Sequence, residues 1–293
     1  MPTDGDSRGP IWRRLAAGLA HARRAVWLFV GLASVAGAVG APHQPAFFPS
    51  GASAYVIEVD GTPRWSLAAD RQLPPASLTK LMTALVVVER DTELDGVATV
   101  SARAAQSTGT RLGLRVGEQM PLKDLLGATL VKSANDACLV LAEYVGGTEV
   151  AFVALMNQRA AELGLRHTNF ANACGHDDPR HWSSAGDLAR LATVAMDKPR
   201  IAQYVQLERI RVVSLTGRRW DLTNSNHLLG RYAGTDGVKT GYTPEAGRCL
   251  IARVRRNHRM VLLVVLGAVN RWWETEAALD GAFEAASSPN TNR

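Results

Sequence analysis

Three short clusters of reactive side chains occur in order along this 293-residue chain: Ser77-Leu78-Thr79-Lys80, Ser133-Ala134-Asn135 and Lys239-Thr240-Gly241. In the first, a hydroxyl and an amine stand three residues apart. On a helix that spacing puts both on one face, within hydrogen-bonding reach. Burial disfavours an ammonium, so a lysine in a partly desolvated cleft can lose its proton and act as base to a serine nucleophile. Arginine cannot take that part, because its guanidinium stays protonated. Ser77 follows Pro74-Pro75 at the expected start of a helix, where free N–H groups and the helix dipole favour developing negative charge. The competing reading of this pair is an N-cap serine beside a solvated lysine.

Ser133 and Asn135 would diverge on a helix. On a turn between two helical patterns both can face one cleft, or Asn135 can cap the helix that begins at Asp136-Ala137-Cys138. Lys239-Thr240-Gly241 falls on an expected strand after Asp236-Gly237. Gly241 has no side chain, so a peptide-like ligand can lie close against that strand. Lys239 and Thr240 could then hold a terminal carboxylate, whereas a solvated edge-strand lysine is the plainer alternative.

The elements that must position these residues follow from periodicity. Residues 54–59 read as a strand, Asp60-Gly61 is a turn, and Trp65-Ser66-Leu67 begins a returning strand. A long apolar helix is expected over about 77–88, and helical patterns cover 122–131, 136–145 and 150–163. The period then changes. Strands are expected at 210–215 and 219–222 around Thr216-Gly217, at 237–242, and in a hairpin of 249–254 with 260–266, before a closing helix over about 272–285. Strands at both ends and helices between them predict an α/β (α+β) fold: a central, mostly antiparallel sheet flanked by helices, with an inserted helical subdomain.

Composition is ordinary for a globular protein, with 46% hydrophobic and 20% charged residues, which excludes collagen, coiled-coil and disulfide-rich small-protein classes. Of 33 cationic residues only five are lysine, and Lys80, Lys132 and Lys239 lie in or beside the motifs. The net charge of +6 is partly carried by the first 38 residues and does not call for a nucleic-acid partner. Three cysteines (Cys138, Cys174, Cys249) are too few and scattered for a disulfide framework or a zinc site. One pair is open in an oxidising compartment, but the odd count argues against a staple, and Cys138 reads as a packed thiol. Arg13, Arg14, Arg23 and Arg24 precede an uncharged run over 25–41 that contains Ala36-Gly37-Ala38. Residues 1–38 therefore read as a secretory signal or an uncleaved N-terminal anchor, which predicts export and an inner-membrane association if the anchor stays. Residues 39–53 read as a linker, 54–286 as the catalytic domain and 287–293 as a tail.

Taken with their flanks, the motifs resemble the serine D-alanyl-D-alanine carboxypeptidases among the low-molecular-mass penicillin-binding proteins, of the β-lactamase/DD-peptidase superfamily. The likeness extends over Pro74–Thr83, Lys132–Ala137, Asn224–Leu229 and Asp236–Thr243. It implies that Ser77 forms an acyl-enzyme, Lys80 is its general base and Ser133 relays a proton to the leaving D-alanine. It also implies that Asn135 holds the substrate amide, that Lys239 and Thr240 bind the terminal carboxylate beside Gly241, and that the backbone N–H groups of Ser77 and Tyr242 form the oxyanion hole. The implied partners are peptidoglycan stem peptides and, as covalent inhibitors, β-lactams; no metal or organic cofactor is implied. Two departures stand out. Asn172-Ala173-Cys174-Gly175-His176 replaces the usual Asn-Pro-x-Gly-Leu, and the chain ends soon after its last helix, without the extra β-domain of many members.

Other readings are weaker. A class A β-lactamase needs a glutamate for deacylation, but Glu162 is followed by Arg166 where that pattern has Asn, and it falls on a solvated helix face. A D-alanyl-D-alanine endopeptidase acting on cross-links shares the motifs; a penicillin-binding sensor without turnover is the non-enzyme alternative. His176-Asp177-Asp178 with His181 reads as a hydrogen-bonded rim rather than a metal cluster. Arg253, Arg255, Arg256, His258 and Arg259 read as a solvated hairpin tip, and Trp272-Trp273 as core contacts at a helix start.

Overall fold

The computed structural model describes residues 51–287. The expected signal or anchor, most of the linker and the tail from residue 288 lie outside the described residues.

The apolar, β-branched run Ala54-Tyr55-Val56-Ile57-Glu58-Val59 forms strand β1 (Ala54–Val59), buried on both faces, which turns at Asp60-Gly61 into β2 (Thr62–Leu67). The returning strand thus starts three residues before Trp65. The long expected helix is in two parts, a 3₁₀ turn over Ala76–Thr79 and α1 (Lys80–Arg90). Lys80 through Val88 are all buried, so α1 is a core helix apolar around almost its whole circumference. Short elements follow: β3 (Val97–Thr99), α2 (Ala102–Ala105) and β4 (Gln119–Pro121).

The helical pattern at 122–131 is α3 (Leu122–Gly127) continued by a π-helical turn over Ala128–Lys132, which ends where Ser133 turns left-handed at φ +65°. Next come α4 (Asn135–Gly146), α5 (Glu149–Glu162), α6 (Ala185–Met196) and α7 (Pro199–Val205). Strands β5 (Arg209–Val213) and β6 (Arg219–Thr223) form a separate hairpin. Strands β7 (Thr235–Thr243), β8 (Gly247–Arg256) and β9 (Arg259–Ala268) precede α8 (Arg271–Ser287).

The main sheet has the order β2-β1-β9-β8-β7 and is antiparallel throughout, with Ile57 opposite Leu263, Val254 opposite Val261, and Gly241 opposite Cys249. Among the described residues the first strand thus pairs with the last, and the helices between them are the predicted insertion. Side chains alternate across the sheet. Along β9, Leu262, Val264 and Leu266 join the core formed with α1 and α6, whereas Val261, Leu263 and Val265 pack under Leu279 and Ala282 of α8. Trp272 joins this second core and stacks on His227 at 4.9 Å, in keeping with the expected core role. No single helix among the described residues is long and apolar enough to cross a membrane.

The basic hairpin tip is exposed as expected at Arg255, His258 and Arg259, and its arginines are also ion-paired. Arg253 and Arg255 both bond Asp236, Arg256 bonds Asp280 and lies over Tyr232, and Arg259 bonds Asp60. The reason is that acids from three distant segments converge where β8 turns into β9.

Candidate active site

Three local structures hold the three motifs, and packing brings them together. Pro74-Pro75 directs the chain into the 3₁₀ turn. With three residues per turn, positions i and i+3 eclipse. Ser77 therefore lies directly over Lys80, and Lys80 Nζ is 2.9 Å from Ser77 Oγ. Ser133 sits at the left-handed exit of the π-turn, and Asn135 opens α4 two residues later. This change of direction lets both face one cleft, as the turn reading requires. Ala134, not Asn135, is the N-cap, and the Asn135 side chain reaches Lys80 instead: its Oδ1 is 2.7 Å from Nζ, while Nδ2 donates to Thr108 O at 2.6 Å. Lys239 Nζ is 2.9 Å from Ser133 Oγ and donates to Thr240 O at 2.9 Å.

β7 is an edge strand, and its side away from β8 runs beside the 3₁₀ turn. A Cβ at Gly241 would sit 3.0 Å from Ala76 Cβ and 3.1 Å from Ser77 N, so glycine permits this close passage. Tyr242, the next residue along β7, is 60% exposed. Thr240 Oγ1 is 2.7 Å from Ser225 Oγ, and Asn226 Nδ2 donates to Gly237 O at 3.1 Å. The Asn224–Leu229 block therefore braces β7. Ser225 carries no motif signal in the sequence, and its contact with Thr240 arises only from packing.

Lys80 and Lys239 are 0% and 1% exposed. Burial, with a smaller contribution from the Lys239 charge, pushes the Lys80 amine well below its ordinary pKa. A buried amine held low is a base poised against a neighbouring hydroxyl.

The segment after α5 forms the cleft rim, although it departs from the family pattern. Asn172 Oδ1 accepts from the backbone N–H groups of Gly175 at 2.7 Å, His176 at 3.0 Å and Cys174 at 3.2 Å. Gly175, at φ +81°, lies so close to Ala76 O that any Cβ would overlap it. Cys174 O is 2.5 Å from Lys80 Nζ.

Two expectations are corrected here. Cys138 is not a packed thiol: it forms a disulfide with Cys174, with Cα atoms 6.0 Å apart. An odd cysteine total says nothing against two of the three meeting, and here α4 and the rim both pack against the floor of the site. The third, Cys249, is buried on β8. His181 is not on the rim but beneath it, 3% exposed. Its Nδ1 accepts the N–H of Ala171 at 3.0 Å, which leaves Nε2 to donate to Thr79 Oγ1 at 2.8 Å, and Thr79 in turn donates to Ala76 O at 2.8 Å. Burial holds the His181 pKa down to about 4. Asp177 and Asp178 do lie on the rim, bonded to Thr243 and Arg180. Glu162 pairs with Arg159 on an exposed helix face, away from these groups.

Comparison with protein-family models matches residues 53–270 to peptidase S11, D-alanyl-D-alanine carboxypeptidase. The chain is 36% identical over 221 residues to the D-alanyl-D-alanine carboxypeptidase DacF of Bacillus subtilis, covering 74% of this chain and 57% of that one. It thus spans a little over half the length of that relative. It is 34% identical over 258 residues to the D-alanyl-D-alanine endopeptidase of Pseudomonas aeruginosa, covering 84% of this chain and 82% of that protein. Among solved structures, penicillin-binding protein D2 from Listeria monocytogenes in its ampicillin-bound form superposes with a TM-score of 0.71 at 28% identity, covering 82% of this chain and all of that one. With the expected antiparallel sheet and inserted helices in place, this chain belongs to the peptidase S11 family of D-alanyl-D-alanine carboxypeptidases.

Proposed function

We propose that the protein is a penicillin-sensitive serine D-alanyl-D-alanine carboxypeptidase that removes the terminal D-alanine from peptidoglycan stem pentapeptides. The observation that carries this reading is a fully buried Lys80 amine, its pKa driven down, 2.9 Å from the hydroxyl of Ser77. Lys80 takes the Ser77 proton as Oγ attacks the penultimate D-alanine carbonyl. The oxyanion forms at the backbone N–H groups of Ser77 and Tyr242, where β7 passes the 3₁₀ turn. Ser133 passes a proton to the departing D-alanine nitrogen, with Lys239 beside it holding the hydroxyl and, together with Thr240, the terminal carboxylate. Asn135 orients the substrate amide, and the side-chain-free edge at Gly241 admits the peptide as an added strand. Water then hydrolyses the acyl-enzyme.

A second reading, endopeptidase action on cross-links, is favoured by the Pseudomonas relative, which this chain covers for most of its length. Incubation with a stem pentapeptide and with a cross-linked dimer separates the two. Free D-alanine from the pentapeptide is expected; release of monomer from the dimer alone would move the assignment to endopeptidase. Labelling by a fluorescent penicillin, abolished in Ser77→Ala, is expected for both. An unlabelled wild-type protein, or equal labelling after Ser77→Ala, would sink both catalytic readings, and labelling with no release of D-alanine or monomer would favour the penicillin-binding sensor without turnover. Export from the cytoplasm belongs to the same proposal. It is supported by the arginine-flanked apolar run over 25–41 and by the Cys138–Cys174 disulfide, since such bonds persist in oxidising compartments.

A further inference from the structure

Lys80 Nζ has three close partners: Ser77 Oγ at 2.9 Å, Asn135 Oδ1 at 2.7 Å and Cys174 O at 2.5 Å. A neutral amine has two N–H bonds and one lone pair. Asn135 Oδ1 and Cys174 O are carbonyl oxygens and can only accept. The Asn135 amide is held in this orientation by its Nδ2 bond to Thr108 O. The two N–H bonds of neutral Lys80 are therefore used on the two carbonyls, which leaves the lone pair facing Ser77 Oγ.

Those carbonyls come from places far apart in sequence, the first residue of α4 and the rim segment. Cys138 lies one turn along α4 from Asn135, and its disulfide partner is Cys174 itself. The rim has further anchors around the same point. Thr83 Oγ1 of α1 donates to Ala173 O at 2.5 Å, and Ala173 N donates to Glu149 Oε1 at 3.0 Å. Both cysteines are buried, at 0% and 2% exposure, so the bond fixes the interior of the site rather than its surface.

We infer that the Cys138–Cys174 disulfide is a positioning element of the catalytic base: it ties together the two carbonyl groups that orient the lone pair of Lys80 toward Ser77. The inference rests on the proposed acyl-enzyme reading and names a device within that site. The charged and titratable groups around Lys80 are Lys239 from β7, and His176 and His181 from the rim and the segment beneath it. Asp136 of α4 is turned to the N–H groups of residues 112–114, and Glu149 of α5 to that of Ala173. None of these is altered by replacing the cysteines.

The test is the pH dependence of acylation by a fluorescent penicillin, in wild type and in Cys138→Ser/Cys174→Ser, well below the thermal midpoint of each. A rim released from α4 admits water to Lys80 and misplaces its lone pair. The plateau rate should fall about tenfold or more, and the acidic limb should move to higher pH as relief of burial raises the Lys80 pKa. Thr83→Val, which removes a rim anchor and leaves the disulfide, should move both in the same direction by less, and it carries the test if the double variant does not fold. A lower thermal midpoint with an unmoved acidic limb would overturn the inference, leaving the disulfide a general stabiliser. Absence of labelling in wild type, or equal labelling in Ser77→Ala, would instead overturn the acyl-enzyme reading.

Discussion

The two faces of the five-stranded sheet are built from the same strands and yet differ in what they bury. Under α8 the covered side chains are almost all aliphatic: Ile57, Val59, Leu250, Val254, Leu263 and Val265 meet Ala278, Leu279 and Ala282. On the other side, α1 and the inserted helices also cover Val56, Val264 and Leu266, but near β7 the interior holds Thr79, Lys80, Thr83, Ser133, Asn135, Asp136, His181 and Lys239, each under 10% exposed. Burying such groups without partners costs several kcal/mol apiece. They are tolerated because each is bonded: Asp136, for instance, accepts from the N–H groups of Leu112, Gly113 and Leu114. One face is held by area and shape, the other by a hydrogen-bond network around a lysine whose pKa is lowered by burial and, to a smaller extent, by the Lys239 charge. Substitutions on the first face should change stability and leave chemistry intact, whereas those on the second should change the chemistry as well.

The sharpest test of that division is Lys80→Arg. Arginine keeps the donors but stays protonated and cannot take the Ser77 proton, so acylation by penicillin should fall about 10²–10⁴-fold, measured as a labelling rate, while circular dichroism shows the fold retained. A variant that labels at the wild-type rate would contradict the role of Lys80 as base. Leu279→Ala on the opposite face should cost about 2–5 kcal/mol in urea unfolding and leave the labelling rate of the folded protein unchanged. A rate loss there would mean that the two faces are coupled.

His181 offers a pH test of the polar face. Its folded pKa of about 4 lies below its ordinary value of 6.5, so the unfolded chain takes up the proton first as pH falls. The stability it confers is complete above pH 6.5 and is lost as pH drops toward 4, on the order of 3 kcal/mol in total. His181→Gln should flatten that part of the stability curve, measured by urea unfolding at a series of pH values; equal slopes in both proteins would remove His181 from the account. The smallest effect is a count. Denatured, unreduced protein should show one titratable thiol, from Cys249, and three after reduction.

Much of this was legible before the fold was known. The strand at 54–59 and the hairpin ending in β9 follow from short apolar, β-branched runs bounded by turn residues, and the closing helix from a period of about 3.6. Ser77 and Lys80 were readable as a pair for the same reason, since three residues of helix set their distance. What stayed hidden depended on long-range packing. Cys174 contributes its main-chain oxygen to Lys80, and every residue type has such an oxygen, so no letter in the sequence marks it. His181 looked like a rim residue because it follows a polar run, and only the packing of that segment under Ala76 shows it to be buried. Ser133 φ +65° could not be foreseen either, since serine seldom adopts that conformation and the preceding pattern read as unbroken helix.

The sequence by itself determined which groups can do chemistry, their order, and the local geometry within each motif, because dihedral preferences and side-chain periodicity act over a few residues. Tertiary structure alone decided which of them meet. The bonds from Lys80 to Asn135 and to Cys174 join residues 55 and 94 positions apart, and that from Lys239 to Ser133 spans 106. Contacts at those separations depend on where whole elements pack, and it is the exclusion of water by that packing that lowers the pKa of Lys80.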